Sequence, residues 1–407
     1  MPARALTLSW EYPPIVEGGL ARHVRKLSEE LVAQGFEVHV LTRTEGPEPA
    51  EDERGGVIVH RVPTPTRPTD LGEFVTWIEE MNADMLAYGV ELGDRFDFDL
   101  VHSHDWLVAR AAHHLANRYR RPWVTTIHAT EYGRHQGWVD KHPQSHIHRV
   151  ERWMARRADH VVTCSHYMRG HVADVFGLDE ARISVIPNGI DPSELVPVDD
   201  LDTLRARFAA PDERLVLLVG RLVYEKGFQL ALEALPGLIR RTGKLRFLVA
   251  GSGTHEAELK RQARKLGLMR HGTFLGWIGD DVLHSLYRIA DLCVVPSIYE
   301  PFGLVALEAM VSGCPCIVAD TGGLREVVPN EDVGLRFRSR DPRSLAQMVE
   351  RVLTEDDLRD RLVTEASEHV LRFDWSDVAR QTAEVYEDLL GSSIRPRSGR
   401  GPGTART

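Results

Sequence analysis

The sequence predicts an α/β protein of two Rossmann-like, doubly wound domains, and three observations lead there. At 407 residues the chain is too long for one ordinary hydrophobic core and suits two α/β domains. Short β-type runs alternate with helical periodicities from residue 4 to residue 319, the pattern of parallel sheets joined by crossover helices. Residues 192–202, rich in proline and acidic side chains, interrupt that alternation and mark a boundary. The expected units are therefore 1–192 and 193–374.

The first unit opens as a βαβ. Residues 4–9 and 37–42 read as strands, and between them Leu20, Val24, Leu27 and Leu31 recur at helical spacing, with Gly35 placed to end the helix. The loop before this helix ends in Gly18-Gly19, where backbone can approach a ligand at the carboxyl end of a parallel strand. It does not match the dinucleotide G-x-G-x-x-G fingerprint. Further strands are expected at 57–62, 100–106, 123–128, 160–164 and 183–187, with helices at 74–92, 107–119 and 150–158. Asp105 and His128 fall at the carboxyl ends of two of these strands, pointing into one crevice. Residues 131–148, with many histidines, Gly and Pro, read as a long mobile loop near that crevice.

The second unit repeats the theme. Strands are expected at 215–219, 245–250, 273–277, 292–296 and 316–319, and helices at 256–266 and 281–289. Its loop Pro296-Ser-Ile-Tyr-Glu300-Pro-Phe-Gly-Leu-Val-Ala-Leu-Glu308 carries the strongest chemical signal. An apolar helix starting near Gly303 aims its first amides beyond the strand, so Phe302, Gly303 and Leu304 form an anion site. Glu300 and Glu308 bracket that site as acceptor-only side chains suited to sugar hydroxyls. The arrangement describes a nucleotide sugar. A solvent-facing Glu308 is disfavoured, because its helix is apolar nearly all round. Arg221 and Lys226, at the same end of the same sheet, are the cations to neutralise a departing diphosphate.

Composition bounds the alternatives. A net charge of -10 argues against non-specific nucleic-acid binding, and no stretch approaches about 18 uninterrupted apolar residues. The amino terminus enters a strand with no cationic apolar signal. Four cysteines without metal-type spacing read as buried residues of a reducing compartment, so a cytoplasmic location is expected. His102, His104 and His128 lack the spacing of a zinc site, and neither metal nor cofactor is expected. The arginines at 110, 118, 120 and 121 and the run 149–157 read as solvated helix faces rather than a membrane surface. Residues 391–407, rich in Gly, Ser, Pro and Arg, read as a disordered tail.

Gly220-Arg221 through Lys226-Gly227, the Glu300-Pro-Phe-Gly-Leu loop with Glu308, and Gly313-Cys-Pro with Gly322-Gly323 together resemble the signature of the retaining family 4 glycosyltransferases. Ser9-Trp-Glu-Tyr-Pro-Pro, Gly18-Gly19-Leu, His102-Ser-His-Asp-Trp106 and Thr126-Ile-His128 resemble the glycogen and starch synthases and their bacterial relatives. The resemblance spans roughly residues 4–390. It implies a GT-B architecture with the active site in the cleft, an acceptor-side domain over 1–192, a nucleotide-sugar domain over 193–374, and a helix over 375–390 crossing back to the first domain. It assigns Arg221 and Lys226 to the diphosphate, Glu308 to the ribose and Glu300 to the donor sugar. Gly19 would offer an amide to the phosphate, His128 would touch the sugar near its reacting carbon, and Asp105 would touch the sugar or the acceptor.

One departure stands out. Bacterial glycogen synthases carry a lysine two residues before the Gly-Gly, where this chain has Val16 followed by Glu17. The donor therefore stays open between UDP-glucose and ADP-glucose, with GDP-mannose a further option. The expected acceptor is an α-1,4-glucan, with a small or lipid-linked acceptor such as glucose 1-phosphate or an inositol derivative as the alternative. A nucleotide-sugar epimerase is a distant reading, since those enzymes resemble a different motif set.

Overall fold

The computed structural model describes residues 2–198 and 200–393. Most of the tail at 391–407 lies outside the described residues. Two sheets carry the fold. The first contains β1 (Arg4–Leu8), β2 (Glu37–Thr44), β3 (Ala50–Arg54), β4 (Val57–Pro63), β5 (Leu100–His104), β6 (Trp123–Ile127), β7 (His160–Thr163) and β8 (Ile183–Val185), in the order β3-β4-β2-β1-β5-β6-β7-β8. The second contains β9 (Arg214–Val219), β10 (Leu245–Ala250), β11 (Gly272–Gly276), β12 (Leu292–Val295), β13 (Cys316–Ala319) and β14 (Leu335–Phe337), in the order β11-β10-β9-β12-β13-β14. Every pairing in the second sheet is parallel. β1 is buried almost throughout and pairs in parallel with β2 and β5. Such strands read as apolar runs because helices cover both faces of a parallel sheet.

The chain divides into two compact units. The described residues of Met1–Thr126, Val150–Val162 and Ala379–Thr407 form one, and Ile127–Arg149 with Thr163–Val378 form the other. In the first, helix Gly19–Ala33 buries Val24, Leu27 and Leu31 while Leu20 stays partly exposed, and Gly35 closes it with an amide to Val32. Helix Leu71–Arg95 starts three residues earlier than its periodicity suggests, because the Asp70 carboxylate caps it by accepting from the Gly72 and Glu73 amides. β3 escapes periodicity altogether. Its residues, Ala-Glu-Asp-Glu-Arg, are polar and mostly exposed, and they form the antiparallel edge against β4, where charge discourages pairing with another chain. The four cysteines are buried, and none forms a disulfide. Among the described residues, no helix is long and apolar enough to cross a membrane.

The terminal helix, Trp375–Ser393, continues through residues 391–393 and joins the first unit from Ala379 onward. Tyr386 anchors it there. Its hydroxyl lies 2.6 Å from His102 Nδ1, the other ring nitrogen of His102 lies 2.7 Å from Thr126 Oγ1, and the phenol ring packs edge-on against Phe36. All the groups in this hydrogen-bonded row are buried, so removing one hydroxyl leaves the His102 nitrogen without it. Tyr386→Phe is expected to lower unfolding stability by about 1–2 kcal/mol, read as a lower urea midpoint at unchanged m-value.

Candidate active site

The site grows from the carboxyl end of the second sheet. β12 is apolar and fully buried, Pro296 ends it, and residues 296–303 turn the chain into helix Leu304–Val311. Glu300 in this turn is 8% exposed. Its Oε2 accepts from Lys226 Nζ at 2.7 Å and from Ser297 Oγ at 2.9 Å. The lysine arrives on the loop after β9, and backbone bonds lace that loop to the turn: the Ile298 amide donates to the Glu225 carbonyl at 2.8 Å. Gly227 makes the approach possible. It has φ +71°, and a Cβ there would stand 1.9 Å from the Pro296 carbonyl oxygen. On the other side the Gly323 amide donates to the Glu300 carbonyl at 2.9 Å, and a Cβ on Gly322 would stand 2.1 Å from that same oxygen.

Glu308 lies one turn inside the helix and is only partly exposed. Its Oε2 accepts from the Tyr287 hydroxyl at 2.8 Å. Burial, with the Glu308 charge adding to it, raises the Tyr287 phenol well above its ordinary pKa, so it remains a donor. Phe302 turns its ring into the core against Phe373, while Gly303 and Leu304 occupy the N-cap and first position of the helix. These backbone positions are where a helix offers its amides to an anion. Arg221 is exposed on the β9 loop, five residues before Lys226.

His128 belongs to the same unit. It follows β6, and the chain beyond it is clamped to Tyr299, the residue before Glu300. The Thr130 amide donates to the Tyr299 hydroxyl at 3.1 Å, and Thr130 Oγ1 lies 2.7 Å from His171 Nε2. Residues 131–148 are not the long loop the composition suggests. Thr130 caps a short helix, Glu131–Arg134, by accepting from the Gly133 amide, and a second helix runs over Gln144–Arg157. Histidines and glycine masked a cap and a turn that tertiary contact completes.

The remaining two candidates lie in the first unit. Asp105 follows β5 with φ +60°, is 7% exposed, and donates its amide to the Thr126 carbonyl at 2.9 Å. Gly19 is the first residue of its helix. The loop before it is held by Glu11, whose Oε2 accepts from the Glu17 amide and from the Gly18 amide at 3.0 Å. Burial pushes the Glu11 carboxyl up, and the two amides oppose that shift. Glu17 binds Arg43 at 2.9 Å and also Arg67. Sequence reasoning missed Ser297, Tyr287, Tyr299 and Glu11, because each acts through a partner distant in the chain or through loop amides.

Burial pulls the His128 imidazole down to about 3, and the Arg134 charge acts in the same direction. The unfolded chain takes up that proton near pH 6.5, as an ordinary histidine does. Between these values the unfolded state binds more protons, so stability is full above about pH 6.5 and falls as pH drops toward 3. His128→Gln is expected to flatten this dependence. The difference in unfolding free energy between variant and wild type, from urea titrations at pH 7, 6 and 5, should change by up to about 1.4 kcal/mol per pH unit below pH 6.

Residues 17–194 match the family model for Glycosyltransferase Family 4, and residues 201–369 match the model for Glycosyl transferases group 1. The chain is 40% identical over 400 residues to a glycogen synthase of Mycobacterium tuberculosis (strain ATCC 25618 / H37Rv), covering 94% of each chain. It is 30% identical over 420 residues to a D-inositol 3-phosphate glycosyltransferase of Nocardia farcinica (strain IFM 10152), covering 99% of this chain and 93% of that one. The solved structure of sucrose-phosphate synthase from Thermosynechococcus elongatus superimposes with a TM-score of 0.81 at 26% identity, covering 96% of this chain and all of that one.

Proposed function

Since the chain belongs to glycosyltransferase family 4 and is a hexosyltransferase with the two-domain GT-B fold, we propose that it moves glucose, with retention, from UDP- or ADP-glucose to an α-1,4-glucan. The observation that carries the donor half is the Lys226–Glu300 pair ahead of helix Leu304–Val311, with Arg221 exposed on the same β9 loop as the lysine. In this reading the diphosphate draws Lys226 and Arg221 and the amides at 302–304, Glu308 takes the ribose, and Glu300 takes the donor sugar. His128, neutral throughout the working pH range, meets the sugar as a hydrogen-bonding group rather than a charge. Gly19 and Asp105 serve the phosphate and the sugar or acceptor from their own unit. Identity to a glycogen synthase along nearly the whole chain supports the glucan acceptor.

The bond from the sugar's anomeric carbon to the diphosphate breaks through an oxocarbenium-like state, and the acceptor oxygen bonds to that carbon on the same face. The acceptor proton passes to the departing phosphate oxygen. Retention follows without a protein nucleophile. Against a competing scheme in which Glu300 is a covalent nucleophile stands the engagement of its Oε2 by both Lys226 and Ser297, which draws electron density from that oxygen. The proposed reaction requires no metal or cofactor. Four buried cysteines outside any disulfide suit a reducing cytoplasm, where we place the enzyme.

A second reading, transfer to a small phosphorylated acceptor, rests on the 30% identity to an inositol 3-phosphate glycosyltransferase. Nucleotide release should be measured from UDP-, ADP- and GDP-sugars with glycogen, with glucose 1-phosphate, with inositol phosphate and with no acceptor. Release from a glucose donor only with glycogen is the expected result. Release with a small acceptor, or only from GDP-mannose, replaces the substrate and keeps the family. Lys226→Ala should lower turnover about 100-fold or more, as loss of one preorganised donor to developing charge does. Near-normal turnover would remove the lysine from the diphosphate.

A further inference from the structure

Among the described residues, two indoles stand out in solvent, Trp138 at 78% and Trp277 at 79% exposure. Trp138 differs from a stray surface aromatic in how it is held. The turn carrying it has two successive residues at positive φ, Gln136 at +54° and Gly137 at +89°, and the first is not a glycine. Such a conformation persists only where the surroundings fix it, and here they do so from several directions. The Gly137 amide donates to the Tyr132 carbonyl at 2.8 Å, the Trp138 amide to the His135 carbonyl at 2.9 Å, and the Gln136 side chain to the Gly133 carbonyl at 3.0 Å. Arg340, beyond β14 and itself at φ +62°, donates to the Gln136 side-chain oxygen. The protein thus fixes a turn whose tip holds an apolar ring in water.

The turn is also joined to the donor loop. A Cβ on Gly133 would stand 2.2 Å from the Tyr299 ring, so this backbone rests on the residue preceding Glu300. Five residues separate Gly133 from Trp138, a span of at most about 18 Å even if fully extended. An occupant of the donor-sugar site and an occupant of the indole are therefore within reach of one extended chain. A single indole is too small for a stable protein interface, but its face matches the C–H face of one pyranose ring. Its rigidity leaves little side-chain entropy to lose on binding.

We propose that Trp138 is a stacking platform for an acceptor glucan, binding a sugar unit remote from the reacting end. This inference rests on the glucan reading of the acceptor. The test uses the full chain, wild type against Trp138→Ala and Trp138→Tyr, with maltoheptaose and maltose as acceptors and with intrinsic-fluorescence titration by maltoheptaose without donor. Trp138→Ala should lose about tenfold in kcat/KM for maltoheptaose, with the maltose value and the donor KM unchanged, and Trp138→Tyr should recover most of the loss. The wild-type fluorescence change should be absent in Trp138→Ala. Equal losses on both acceptors, or a titration indifferent to the substitution, overturns the platform. A wild type that transfers to no glucan yet shows a Trp138-dependent titration keeps the platform and removes the glucan acceptor.

Discussion

The Glu300 carboxylate, nearly buried and with a lysine ammonium 2.7 Å away, is the constraint on which the carboxyl end of the second unit depends. A carboxylate removed from water costs several kcal/mol unless partners replace the water, and here one oxygen receives both Lys226 and Ser297. Bringing the lysine there requires the β9 loop to lie on the β12 turn, which Gly227 permits and a side chain would prevent. Holding the Glu300 backbone in place requires the Gly322-Gly323 turn to press against it from the β13 side. One ion pair thus accounts for three loops. Pairs of this kind seldom stabilise a fold more than a well-packed apolar replacement would. In the proposed reading, an incoming diphosphate competes with Glu300 for the lysine.

The two carboxylates of the site are set apart by their partners. Glu300 faces a cation, whereas Glu308 faces a phenol that burial keeps protonated. The first partner can be drawn toward a more negative ligand; the second is a neutral donor with no charge to exchange. In the proposed reading these serve as an anchor for the nucleoside and an exchangeable contact for the departing sugar. Both carboxylates follow β12, Lys226 arrives from the loop after the neighbouring β9, and Tyr287 lies on the helix that precedes β12.

Legibility in the sequence follows the range of the interactions. The β12 turn is legible because the strand, the start of the helix and both glutamates lie in 17 consecutive residues, 292–308. β10 and β13 match their expected spans because buried parallel strands read as apolar runs. What failed was structure completed from elsewhere. β3 is polar and exists through its pairing with β4, β14 has only three residues, and the helix at Glu131–Arg134 is seated on Tyr299. One further helix start is local: Asp341-Pro342, a capping carboxylate followed by a proline at the first helical position, opens helix Pro342–Thr354. Tyr287 as the partner of Glu308 had no local signal, since 21 residues separate them.

The departure at Val16 has a structural counterpart in the same unit. The positive charge absent before Gly18-Gly19 is supplied from β2 and from the loop after β4, by Arg43 and Arg67 on the carboxylate of Glu17. The two forms of charge are not equivalent. A lysine on the loop would be a flexible, hydrated point charge, whereas Arg43 is fully buried, with its guanidinium 5.4 Å from the Trp10 ring and 5.3 Å from Trp77. Its charge is stationary and already committed to Glu17. Glu11 meanwhile occupies the amides of Glu17 and Gly18, so the loop's own anion already engages both. In the proposed reading, a phosphate at this loop meets Gly19, the first residue beyond the two amides that Glu11 engages.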